Sequence, residues 1–203
     1  MADYTAPASE DRIQRTAAAL RANNIETVVV DSAADAKREV LARIPDGAEV
    51  HSGASKTLQE IGIVSELERS PRVDWLRKRT LAMDRATQGR EIRKLVAAPD
   101  IMLGSVAAVT EDGKLLAASN SGSQLAPYAA SAGKLILVVG AQKIVADVDD
   151  ALRRVYDYAL ELESERLRGA LGMDSYVSYI LIVNRDPRPG RTTVVMVQEA
   201  LGF

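Results

Sequence analysis

The chain is expected to fold as an α/β protein with a mostly parallel central sheet and helices on its faces. Three observations carry that expectation. The first half alternates helical and strand-like patterns, as parallel sheets with crossover helices require. Leu135-Ile136-Leu137-Val138-Val139 is an unbroken apolar run, the mark of a strand covered on both faces. Apolar residues make up 47% of the chain and aromatics only 4%, so Ala, Val, Leu and Ile must fill the core.

In order, Ser9 is placed to cap a helix with Ile13, Ala17 and Leu20 on one face, ended by Asn23-Asn24. Thr27 to Val30 reads as a buried strand. Asp31-Ser32 caps a second helix striped by Ala36, Val40, Leu41 and Ile44. Pro45-Asp46-Gly47 is a turn, Ala48 to His51 a strand, and a helix starts near Ser55. Pro71 to Thr80 gives a weak pattern, and Met83 to Ala97 reads as a helix. Asp100 to Leu103 is apolar, and Val106 to Val109 continues it. Thr110-Glu111-Asp112-Gly113 turns into a strand over Lys114 to Ala118, a hairpin signal. After the polar loop Ser119 to Ser123, Pro127 to Ala132 is compatible with a helix. Asp147 opens a long helix with Val148, Leu152, Val155, Ala159 and Leu162 at helical spacing. Tyr179 to Val183 and Thr192 to Val197 are strands, with Pro187, Pro189 and Gly190 between them predicting a hairpin or an extended loop. Residues 1–9 read as a flexible tail and residues 10–203 as one domain.

Composition excludes several chemistries. No cysteine is present, which removes thiol catalysis, disulfides, iron–sulfur clusters and cysteine-ligated zinc from this chain. With one histidine, His51, and no compact ligand motif, no metal or other cofactor is expected. The 26 basic and 28 acidic residues nearly cancel, so no nucleic-acid partner is expected. No signal-peptide pattern and no apolar run of about 20 residues occurs, so the protein is read as cytoplasmic and without a membrane partner.

Four constellations are candidates for function. Ser52, Gly53, Ser55, Lys56 and Thr57 follow a strand and open a helix, an arrangement suited to a phosphate or carboxylate. The glycine and lysine spacing is not that of a Walker A loop. Gly104-Ser105 leads to the turn carrying Glu111, where Gly104 allows close backbone approach. Asn120, Gly122 and Ser123 form a small polar loop rich in donors and acceptors. Lys143 lies at the carboxyl end of the central strand, where open α/β sheets place ligands. For each a bland reading stands beside the functional one: a capped turn, a hairpin, a solvated loop, a surface lysine. His51 reads first as a structural histidine at a strand end.

Asp100, Gly104, Thr110 to Gly113, Gly122, Val138 to Gly140, Lys143 to Val145, Ala151 and Arg154 together resemble the LUD-domain family of lactate-utilisation proteins, protein C type. Gly53, Ser55, Thr57, Leu58, Glu60, Ile61 and Gly62 resemble a second motif of that family, in the right order. The resemblance implies a three-layer α/β/α sandwich, NagB/RpiA/CoA-transferase-like, similar to ribose-5-phosphate isomerase and 5-formyltetrahydrofolate cyclo-ligase. Val106 stands where sugar-phosphate isomerase relatives keep a catalytic Asp, and no motif supports a transferase glutamate. Some longer relatives carry cysteines near the C-terminus, where this chain has none.

The resemblance implies an accessory, non-redox component of L-lactate oxidation to pyruvate that binds a small anionic metabolite, with iron–sulfur subunits of such a system as partners. An enzyme or sensor for a phosphorylated or carboxylate metabolite, and an interaction module without a ligand, are the alternatives. The sequence leaves open whether turnover occurs and whether the chain forms a homodimer.

Overall fold

The computed structural model describes residues 3–203. Its centre is a six-stranded sheet built from β1 (Glu26–Val30), β2 (Glu49–Ser52), β3 (Asp74–Trp75), β4 (Ile101–Gly104), β7 (Lys134–Gly140) and β10 (Thr192–Val197). The order is β1-β10-β7-β4-β2-β3, and every pairing is parallel. Side chains alternate across it. Leu135, Leu137 and Val139 of β7 join Met102, Val194 and Met196 on one face, while Ile136 and Val138 join Ile101, Leu103, Val195 and Val197 on the other. Both faces are therefore apolar, as an all-parallel sheet requires.

The second face is covered by α2 (Ala33–Ala42), α3 (Lys56–Glu60) and α4 (Ile63–Arg69), through Ala36, Val40, Leu58, Ile63 and Leu67. The first face is covered by α1 (Glu10–Ala22), through Ile13 and Leu20, and by a smaller sheet. Two short helices, α5 (Leu76–Leu81) and α6 (Gly89–Ala97), complete the β3-to-β4 connection. The result is an α/β/α sandwich.

The smaller sheet was not expected as a separate layer. It has four strands, ordered β8 (Ile144–Val145), β5 (Ala108–Thr110), β6 (Leu115–Ser119) and β9 (Tyr179–Val183). The hairpin at Thr110 to Gly113 joins β5 to β6 antiparallel. Its outer face packs through Ala108, Leu116 and Val145 on a long helix, α7 (Val148–Arg154), which continues through a π-turn (Val155–Ala159) into α8 (Leu160–Leu171). Asp147 caps that helix, accepting from the Asp150 N–H at 2.8 Å.

Four sequence expectations change. The apolar stretches at Asp100–Leu103 and Val106–Val109 are not one strand: the chain leaves the main sheet after Gly104 and enters the small one at Ala108. β9 and β10 are not a hairpin, because they belong to different sheets; the intervening segment is the extended loop. The helix expected from Met83 begins only at Gly89, since the Asp84 carboxylate bonds the Ala86 N–H at 2.9 Å and the Thr87 hydroxyl at 2.7 Å, closing a turn. The helix near Ser55 is split at Gly62 into α3 and α4. In the N-terminal segment, Met1 and Ala2 lie outside the described residues; the Tyr4 hydroxyl donates to Asp150 at 2.9 Å, and Ala8 packs against the core.

Candidate functional site

Strands β2, β4 and β7 end side by side, and the chain that follows each one turns over the same edge of the sheet. There they enclose a cavity of about 280 Å³. Gly53 to Thr57 follow β2, Gly104 to Ala107 follow β4, and Lys143 follows β7 at the end of a 3-10 turn (Ala141–Lys143). The loop after β6 supplies another wall, with Ser119, Asn120, Ser121, Ser123 and Gln124. The long helix contributes Val155, Ala159, Leu160 and Glu163, and Phe203 closes one side.

Lys143 is almost fully buried, at 1% exposure, on this cavity. Its Nζ donates to Thr57 Oγ1 and to Ser105 Oγ, both at 3.0 Å. Those hydroxyls lie 3.3 Å apart, so nitrogen and oxygens form a closed triangle. Burial pushes the Lys143 ammonium down to about 7; the positive charge of Arg154 lowers it further, and Glu60 opposes. No carboxylate pairs with it among the described residues.

Arg154 is the second buried base. One guanidinium N–H donates to the Ala107 carbonyl, while Nε and the other terminal nitrogen have no partner. The Tyr158 and Tyr4 rings lie over it at 5.1 and 5.8 Å. Burial lowers its pKa to about 10, so it remains cationic at neutral pH.

Two further residues hold the site together. Tyr128, on a π-turn (Pro127–Ser131), accepts from the Ser105 N–H at 3.2 Å and donates to the Ser105 carbonyl at 3.1 Å. Gln142 clamps the C-terminal segment: its Nε2 donates to Leu201 O at 2.9 Å and Gly202 O at 3.2 Å, and its Oε1 accepts from the Leu201 N–H at 3.2 Å. Gly202, at φ +63°, lies so close to Thr57 that a Cβ there would stand 2.3 Å from Thr57 Oγ1.

Of the residues singled out from sequence, the fold brings Gly53, Ser55, Lys56, Thr57, Gly104, Asn120, Ser123 and Lys143 to the cavity. Three lie apart. Ser52 is buried beneath the first loop with its hydroxyl unpartnered. Gly122 sits against the Tyr179 ring, its N–H donating to Ser119 Oγ at 2.9 Å. Glu111 is drawn to α1, where its carboxylate accepts from Arg12 Nε at 2.6 Å. The helix after Gly53 is only five residues long, and Ser55 Oγ is used in capping Leu58 N–H at 3.3 Å. Lys56 is partly engaged by Glu60 at 3.6 Å.

His51 does not line the cavity. Burial, and then the charge of Arg77, pushes its pKa down to about 4, so it is neutral at pH 7. No group of three His, Asp or Glu residues stands close enough to hold a metal among the described residues. Sequence reasoning did not single out Tyr128 or the burial of Arg154, and it named Gln142 only as part of the Gly140 to Lys143 segment, without its hold on Leu201 and Gly202. Arg154 alone left a signal: it lies three residues after Ala151, on the buried face of the helix.

An all-parallel main sheet with a cavity of mixed polar and apolar lining at its carboxyl edge, reached by one buried lysine, defines an α/β/α sandwich protein. The chain belongs to the LUD-domain family, whose model matches residues 13–200. That membership connects it, in general terms, with lactate utilisation. The fold is similar to a crystal structure of a DUF162 family protein from Deinococcus radiodurans, with TM-score 0.56 and 11% identity, covering 94% of this chain and 99% of that one. No curated protein sequence matches the chain. No helix among the described residues is long and apolar enough to cross a membrane.

Proposed function

We propose that this LUD-domain protein is an accessory, non-redox component of L-lactate oxidation that binds a small anionic metabolite in the cavity over Lys143. One observation carries the proposal. Lys143 is buried on the cavity, Arg154 is buried behind it with a bond to the carbonyl of Ala107, a cavity-lining residue, and neither forms an ion pair with a carboxylate among the described residues. Uncompensated buried positive charge is costly, and an anionic ligand relieves that cost. At about 280 Å³ the cavity falls just under the roughly 300–1,000 Å³ of drug-sized sites, so it suits a metabolite of few heavy atoms. The serines and amides of Ser119 to Gln124 supply neutral donors for orientation. In this reading the protein works in the cytoplasm beside iron–sulfur subunits that carry the electrons, since this chain has no cysteine.

Calorimetric titration with pyruvate, L-lactate and inorganic phosphate tests the site. Binding of at least one is expected, and it is expected to vanish in Lys143→Met. Absence of binding by all three overturns the ligand reading. Deletion of the gene followed by growth on L-lactate tests the setting; unimpaired lactate oxidation overturns it.

A further inference from the structure

We infer that Lys143 is a carbonyl-capturing amine, which holds a small 2-oxo acid in this cavity as an imine on its Nζ. The inference rests on the reading that the cavity takes a small anion, and it adds a covalent step.

Three features of the site support it. Lys143 is the only buried lysine among the described residues, and it lines the cavity; the other six lysines are exposed or half-buried. Its nitrogen is held by two hydroxyls rather than a carboxylate, so nothing fixes it as an ammonium ion. Those hydroxyls, Thr57 Oγ1 and Ser105 Oγ, are each both donor and acceptor. They are therefore placed to carry protons to and from the reacting atoms.

The depressed pKa of about 7 fits this role. About half the Lys143 amine is free base at neutrality, a fraction on the order of a thousandfold above that of an ordinary lysine. Lysines desolvated or set beside another cation are the ones that attack carbonyls, and Arg154 is such a neighbour. The carboxylate of the ligand meets the donors of Asn120, Ser121 and Ser123 and the field of Arg154.

The step balances without oxidant or reductant. The Nζ lone pair forms a bond to the ketone carbon, and the carbonyl π pair moves to oxygen. That oxygen takes a proton shed by Nζ, relayed by a hydroxyl, to give a carbinolamine. It then leaves as water with the second Nζ proton, and the C=N bond forms.

The test incubates the full chain with pyruvate, with and without borohydride, and locates adducts by peptide mass mapping. L-lactate, the same skeleton without the carbonyl, is the control. A borohydride-dependent adduct on the Lys143 peptide, exceeding that on every other lysine and absent with lactate, is expected. In Lys143→Met, checked for folding by circular dichroism, it is expected to disappear. Melting shifts are read in parallel without borohydride. A pyruvate-dependent shift with no adduct at Lys143 overturns the imine and leaves the binding proposal standing. Adducts spread over surface lysines overturn it as well. No shift with pyruvate, lactate or phosphate, and no adduct, overturns both.

Discussion

The hydroxyl of Tyr128 occupies the space in which a side chain on Gly104 would begin: a Cβ built there would stand 1.6 Å from it. β4 thus ends in a residue without a side chain so that Tyr128 can reach over it and bond both the N–H and the carbonyl of Ser105. The loop that presents Ser105 to Lys143 is set by that contact.

Gly104→Ala is therefore expected to displace Tyr128 and destabilise the fold by about 1–3 kcal/mol. It should also weaken binding of whatever anion occupies the cavity. Tyr128→Phe keeps the ring and strands the Ser105 backbone groups, at about 1–3 kcal/mol. Urea denaturation and calorimetric titration of both variants check the pair. Native-like stability in Gly104→Ala contradicts this packing of Tyr128 over Gly104.

Lys143 gives the fold a distinct pH dependence. Its folded pKa of about 7 lies below the ordinary value of 10.5. Between those values the unfolded chain carries a proton that the folded chain has shed, so unfolding takes up a proton and stability rises with pH. Below pH 7 both states are protonated and the full penalty of burying the charge remains. The groups around the amine are the Thr57 and Ser105 hydroxyls, Arg154 and Glu60. Denaturation of the wild type and Lys143→Met from pH 6.5 upward is the measurement; the wild type is expected to gain on the variant as pH rises, by on the order of several kcal/mol in full. Parallel curves contradict the prediction.

Gln142→Ala is expected to release the C-terminal segment, because three hydrogen bonds from one amide hold Leu201 and Gly202. A loss of about 2–4 kcal/mol follows from three bonds of about 1 kcal/mol each. Hydrogen exchange should speed up in residues 198–203 more than in β7. The cavity wall formed by Phe203 would open with it.

Arg191 and Asp186 form a buried pair 3.1 Å apart. Arg191 also donates to the carbonyls of Pro127 at 2.6 Å and Tyr128 at 3.1 Å, which ties β10 to the turn that carries Tyr128. Asp186→Ala leaves that guanidinium buried without its counter-charge. A destabilisation of about 3–5 kcal/mol is expected by thermal denaturation, and a change under about 1 kcal/mol would show the pair to be dispensable.

Local patterns made a large part of this molecule legible. The Leu135–Val139 run, the Asp147 cap and the Thr110–Gly113 hairpin each depend on side chains a few residues apart, and each is found where its pattern falls. Placing Lys143 at the end of a central strand needed only that strand's position. Its burial against Thr57 and Ser105, 86 and 38 residues away, was not legible, because no local pattern records which strands become neighbours.

The sequence by itself determined the α/β alternation, the apolar inventory of both sheet faces, the exclusion of cysteine chemistry and the family motifs. Tertiary structure alone decided that β9 and β10 part into different sheets, that Glu111 pairs with Arg12 rather than joining the cavity, and that Lys143 and Arg154 are both buried without an ion-pair partner among the described residues. The reason is physical. Periodicity is set by neighbours two to four residues apart, whereas the partners of a buried charge are set by where distant segments return, which depends on the packing of both faces of the sheet at once.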